Sequence, residues 1–319
     1  MTTKRAGWAF MWMAFAFLGT SVITSLFFRN MDIMVAALLS ELCLLIPASY
    51  YLFKGRVGLK RQLRLNGVSR VSTLMLSLVY LICCYPLVIA MNAFTISITS
   101  NEAQSITDEF AGGSPFLVWL IVGFIGPVVE EIVFRGMILG GLRSTGRILS
   151  AIVLSGFLFG LMHLNLNQFS YTVIMGIFWG LLVEASGSIL TSMICHISMN
   201  SLSVIMVFAI GDSLEEVTGL LGESEEAISS MQFIGVGIVF LIIGTGFAVL
   251  AMLILKAIAL NEGRTGCPAD PSFSDHTADG NARHWLCLRT GMACTRGDEQ
   301  PGDSACGAVR PLLPSGGGG

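Results

Sequence analysis

The stretch Phe116–Gly140 reads FLVWLIVGFIGPVVEEIVFRGMILG. It is apolar enough to cross a bilayer, yet Glu130, Glu131 and Arg135 fall within about one and a half turns of each other inside it. A charged side chain well inside a bilayer costs roughly 2.5–3.5 kcal/mol on insertion scales. Two acids and a base at that depth need partners or a wet cavity. The other polar groups placed to share such a cavity are His163, His196 and Asn200, each in its own later apolar run. The pattern predicts a polytopic bundle of transmembrane helices, all-α, around a polar catalytic chamber.

Composition supports that class. The chain has 319 residues, 54% hydrophobic and only 12% charged, with a mean hydropathy of +0.75. Soluble domains carry about 25% charged residues, so repeated apolar runs of about 18 residues or more read as membrane spans. A net charge of -3 and the lack of any basic patch interleaved with aromatics argue against a nucleic-acid partner. Cys43, Cys83, Cys84 and Cys195 lie in apolar runs, where a small apolar filler is the expected role. Cys267, Cys287, Cys294 and Cys306 lie in a polar tail, with a spacing that fits no zinc module.

Working outward, about eight spans are expected. The first follows Lys4 and Arg5 and reads as an uncleaved helix. The second covers about 31–53 and carries Glu41, a lone acid read as a structural hydrogen-bond partner. The basic segment that follows it, with Lys54, Arg56, Lys60, Arg61, Arg64 and Arg70, reads as cytoplasmic and lying on anionic lipid. The third span, about 71–95, contains Pro86 as a bend. The remaining spans are the opening stretch and about 148–164, 169–185, 188–210 and 231–256. Gly156 and Gly160 in the fifth have the small-xxx-small spacing that permits close helix contact. The loops around 96–115 and 211–230 are acidic and read as external. Eight spans with both termini cytoplasmic satisfy this alternation. The helical domain is therefore 1–262. Residues 263–319, rich in Gly, Pro, Asp, Cys and Ser, read as a disordered cytoplasmic tail or as sequence foreign to the domain. His276 and His284 go with that tail.

The chemistry lies in three clusters. Glu131 and Arg135 are four apart, hence on one helical face and able to pair. Glu130 is turned about 100° away, free to face a cavity. Pro127 cannot donate to the helical ladder and leaves a carbonyl free one turn earlier. Phe159 and His163 form the second cluster. The third is His196 with Asn200, an imidazole and an amide one turn apart on one face. A carboxylate, two imidazoles and an amide supply what amide hydrolysis needs: a base for water and donors for the developing oxyanion. They do so without a nucleophilic Ser or Cys. Cys195 adjoins His196 in sequence but points about 100° away from it on a helix. Glu130, His163 and His196 also make a three-ligand zinc set with an open position, although no His-Glu-x-x-His occurs. Both a metal-free and a zinc-dependent site stay open, with the metal-free one favoured.

In this order, each within an apolar run, Glu-Glu-x-x-x-Arg, Phe-x-x-x-His and His-x-x-x-Asn resemble the three signature motifs of the CAAX-protease and bacteriocin-processing (CPBP, Abi) family. These intramembrane endopeptidases include the type II CAAX prenyl endopeptidase. The motifs cover about 115–205. The resemblance implies an integral membrane endopeptidase, in the cytoplasmic membrane if the host is bacterial. Its substrate would be a membrane-associated protein or peptide, with CAAX-type processing as the family precedent. It implies Glu130 as the base that activates water and His163 as a residue that orients or shares that water. His196 and Asn200 would polarise the scissile carbonyl, with Glu131, Arg135 and Phe159 supporting the site. The family is described both as metalloprotease and as metal-free, glutamate-dependent protease. The competing reading is a non-proteolytic membrane-binding or bacteriocin self-immunity protein on the same fold. A small transporter would want internal inverted repeats, and the two halves show no corresponding motif pair.

Overall fold

The structure is a computed structural model that describes residues 2–28, 31–54, 60, 63–65, 67, 68, 70–99, 113–220 and 230–264. The expectations for the tail beyond Arg264, for Arg56 and Arg61 and for most of the two acidic loops lie outside the described residues. The described elements are all helical. They are α1 (Thr3–Phe27), α2 (Ile33–Phe53), α3 (Val71–Ile96), α4 (Pro115–Thr145), α5 (Ile148–Leu161), α6 (Leu166–Ser186), α7 (Ile189–Leu220) and α8 (Ser230–Asn261). In a bilayer the backbone must satisfy its own hydrogen bonds, and a helix does so within one segment. Large apolar side chains such as Phe15, Ile46, Ile82 and Ile242 accordingly face outward.

Seven of these helices are long and apolar enough to cross a membrane, and the chain is a multi-pass integral membrane protein. The exception is α5, expected to run to about 164 but ending at Leu161 after 14 residues. At 1.5 Å per residue it spans roughly 21 Å, short of a hydrocarbon core of about 30 Å. Local chemistry sets its end. Leu164 takes a left-handed conformation (φ 51°), and Asn165 caps α6 by accepting from the Gln168 N–H at 3.0 Å. His163 therefore sits in the turn just after α5, not inside the helix.

Small residues bring the helices together. A Cβ on Gly176 would lie 2.6 Å from the Cα of Gly156, so α5 and α6 touch backbone to backbone there. On α8 the buried Gly237, Gly244, Ala251 and Ile258 recur every seventh residue. Gly237 and Gly244 receive Phe94 and Leu87 of α3. One end of the bundle is tied by Glu184 of α6, which pairs with Arg64 at 2.9 Å and Arg143 at 3.1 Å. Arg64 thus turns into the protein, in contrast to the lipid-facing role expected of the basic segment.

The motif helix α4 is irregular. Two π-helical segments, Trp119–Ile125 and Glu131–Ile138, bracket one α-helical turn, Gly126–Glu130. Such π segments rarely form in soluble or membrane helices and cluster at functional sites. By count, Glu130 is the midpoint of Pro115–Thr145.

Candidate active site

Glu131 and Arg135 lie on one face, and their side chains approach to 2.9 Å with both groups buried. Arg135 also lies over the Phe159 ring, 4.3 Å from its centroid, a cation–π contact strengthened by desolvation. The pair meets as an ion pair without a well-directed hydrogen bond, since both Arg135 Nη atoms and Glu131 Oε2 lack hydrogen-bond partners. Phe159 is the hub of the cluster. Its ring meets Phe134, His163 and His196 edge to face at 5.1, 5.0 and 5.9 Å, arrangements that suit the aromatic quadrupole.

Glu130 points the other way, between the two imidazoles. His196 Nε2 lies 3.5 Å from its Oε2, and His163 Nε2 lies 4.0 Å from its Oε1. The far nitrogen of each ring is held: His196 Nδ1 at 3.0 Å from Glu131 Oε1, and His163 Nδ1 at 3.0 Å from the Phe159 carbonyl. A carbonyl can only accept, so His163 Nδ1 carries the hydrogen, and in the neutral ring Nε2 presents a lone pair. The Glu131 carboxylate selects the same tautomer for His196. Two lone pairs and a carboxylate thus face one gap. Glu130 and His163 are 15% and 21% exposed in their side chains, against 3% for His196, so the gap opens on the His163 side.

What would fill that gap follows from distances. Zinc bonds of about 2.0–2.2 Å in a tetrahedron hold donors about 3.4 Å apart. The 4.0 Å separation is wider, and among the described residues no group of three or more His, Cys, Asp or Glu is arranged to hold a metal ion. As the groups stand, the His196–Glu130 separation of 3.5 Å matches that spacing and the His163–Glu130 separation is too wide for all three to hold one zinc. A water donating one hydrogen to each of two acceptors holds them about 4–5 Å apart, close to the separation seen.

Asn200, one turn beyond His196 on α7, donates from Nδ2 to the Val122 carbonyl of α4 at 3.0 Å. Cys195 turns to α3, where its Sγ lies 3.1 Å from the Ser77 carbonyl. Glu41 is the group that sequence reasoning undervalued. Its Oε2 is buried with no hydrogen-bond partner, and its carboxyl reaches within 3.6 Å of where a Gly126 Cβ would be. Gly126 is one helical turn before Glu130, so the α2 acid faces the same side of α4, within electrostatic reach of Glu130. An acid alone in an apolar run was the available signal.

Residues 112–202, which hold all three motifs, match the family described as type II CAAX prenyl endopeptidase Rce1-like. A similar protein is the "Putative membrane peptidase YdiL" of Bacillus subtilis (strain 168), 30% identical over 141 residues. The match covers 44% of this chain and 53% of the relative, so the chain spans about half the length of the curated relative it matches. No solved structure matches. Its motif-bearing segment, 112–202, is thus similar to the Rce1-like type II CAAX prenyl endopeptidase family.

Proposed function

We propose that the protein is an intramembrane endopeptidase that hydrolyses a peptide bond in a membrane-associated protein or peptide, with Glu130 as the base. The observation that carries this reading is one carboxylate facing the Nε2 atoms of two imidazoles at 3.5 and 4.0 Å. Lone pairs opposite a carboxylate have no hydrogen to share, so the groups suit a donor between them. Substrate water is such a donor.

The steps balance as follows. Water held by Glu130 and His163 gives a proton to Glu130 as its oxygen bonds to the scissile carbonyl carbon. The carbonyl π pair moves onto oxygen, and the Asn200 amide, with one N–H beyond that used by Val122, stabilises the charge. His196 Nε2 lies near enough to Glu130 to share the proton, and once protonated it too donates to the oxyanion. Collapse breaks the C–N bond, and the proton leaves with the amine. Glu131 and Arg135 neutralise each other and keep His196 in register. Nothing in these steps needs a metal, which predicts that cleavage persists in a chelator.

Comparative peptide profiling of membranes from wild-type and Glu130→Gln cells, each with and without chelator, tests the reading. Peptides present in the wild type and lost in the variant, chelator or not, are expected. Identical profiles would leave the binding or immunity reading in its place.

A further inference from the structure

The bond from Asn200 to Val122 has a cause within α4. In the first π segment the Gly126 N–H reaches back five residues to the Ile121 carbonyl. The next bond of that register would run from residue 127 to Val122, and residue 127 is Pro127, inside the helix with no N–H to give. The Val122 carbonyl thus lacks its donor, a costly state at bilayer depth unless a neighbouring helix supplies one. Asn200 Nδ2 supplies it at 3.0 Å. The adjacent residue of α7 grips the same segment, as the Trp119 indole N–H donates to Ser201 Oγ at 3.0 Å.

We propose that Pro127 is a positioning residue. By withholding its donor it creates the backbone acceptor that orients the Asn200 amide. The amide is planar, so fixing one N–H on Val122 also fixes the direction of the other, which the endopeptidase reading assigns to the oxyanion. The catalytic half of this inference rests on that reading; the structural half does not. The π register and the proline are then parts of one device. The same π register with an N–H at 127 would satisfy the carbonyl internally and leave the amide free to turn.

The test is a double-mutant cycle on the full chain in detergent micelles: wild type, Pro127→Ala, Asn200→Ala and the double variant. With Pro127 present, Asn200→Ala orphans the carbonyl and lowers the thermal midpoint by about 3–6 °C. In the Pro127→Ala background the alanine N–H takes over, and the same substitution shifts the midpoint by less than half as much. Equal shifts in the two backgrounds would overturn the inference. If Asn200→Ala does not accumulate, Asn200→Leu, which keeps the bulk and removes the donors, takes its place. With a peptide identified by the profiling above, Pro127→Ala is expected to lower kcat about 10–100-fold with KM unchanged. An unchanged kcat would overturn the positioning role even where the thermal coupling holds. Loss of the endopeptidase reading itself would show as no cleavage in the wild type, and the thermal cycle would still decide the Pro127–Asn200 pair.

Discussion

Two helices of nearly equal length, α4 and α8, meet the bilayer in opposite ways. Ser230–Asn261 is one uninterrupted α-helix, with 22% of its most apolar window buried. It packs through a stripe of small residues and turns Ile242, Val249 and Leu253 outward. Pro115–Thr145 is 44% buried by the same measure, changes register twice, and carries two acids and an arginine. The regular helix meets its neighbours mainly by shape, with a polar tie at its end where Asn261 Nδ2 donates to Ser72 Oγ at 3.1 Å. The irregular one depends on them for its hydrogen bonds and its charge balance: Asn200 and His196 from α7, Phe159 and His163 from α5 and its following turn, and Glu41 from α2. The helix that carries buried acids in this bundle is thus the one incomplete alone.

Substitutions break or sharpen that contrast in graded fashion. The largest effect is expected from Glu130→Gln, which removes the base while leaving the shape. It should slow cleavage by about 10²–10⁴-fold without removing the protein from the membrane, as measured by peptide release against protein recovered in the membrane fraction. Next is Arg135→Met, which leaves Glu131 buried without its counter-charge. A loss of about 3–5 kcal/mol is expected, and adding Glu131→Leu should return much of it, read by unfolding in mixed micelles. Gly176→Ala places a methyl against the Gly156 backbone and should cost about 1–3 kcal/mol by the same assay. The smallest effect belongs to α8. Ile242→Ala, on an outward face, should change stability by no more than about 0.5 kcal/mol. A large loss there would mean that α8 is not the passive partner described.

Much of this architecture is legible from residues. Apolar runs and their loops give the helical class because the bilayer permits few alternatives. Glu130, Glu131, Arg135, His163 and His196 stand out because charge and imidazole are expensive among apolar neighbours, and their i, i+4 spacings put pairs on shared faces. What spacing cannot give is register. The two π segments of α4 leave no mark in the apolar spacing, and Pro127 is the local signal beside them. The early end of α5 turns on a single left-handed leucine and an asparagine cap. Glu41 reads as an isolated acid until Gly126 is seen to make room for its carboxyl. Asn200 reads as a donor to substrate until the Val122 carbonyl is seen to hold one of its hydrogens.

The account turns on Glu130 and His163 acting on one water. Groups that act as a unit lose activity non-additively. The direct measurement is the cleavage rate of one profiled peptide by Glu130→Gln, by His163→Ala and by the double variant. The account predicts that the double variant is no slower than Glu130→Gln. Losses that multiply would show that the histidine and the glutamate serve separate steps, contradicting a shared water.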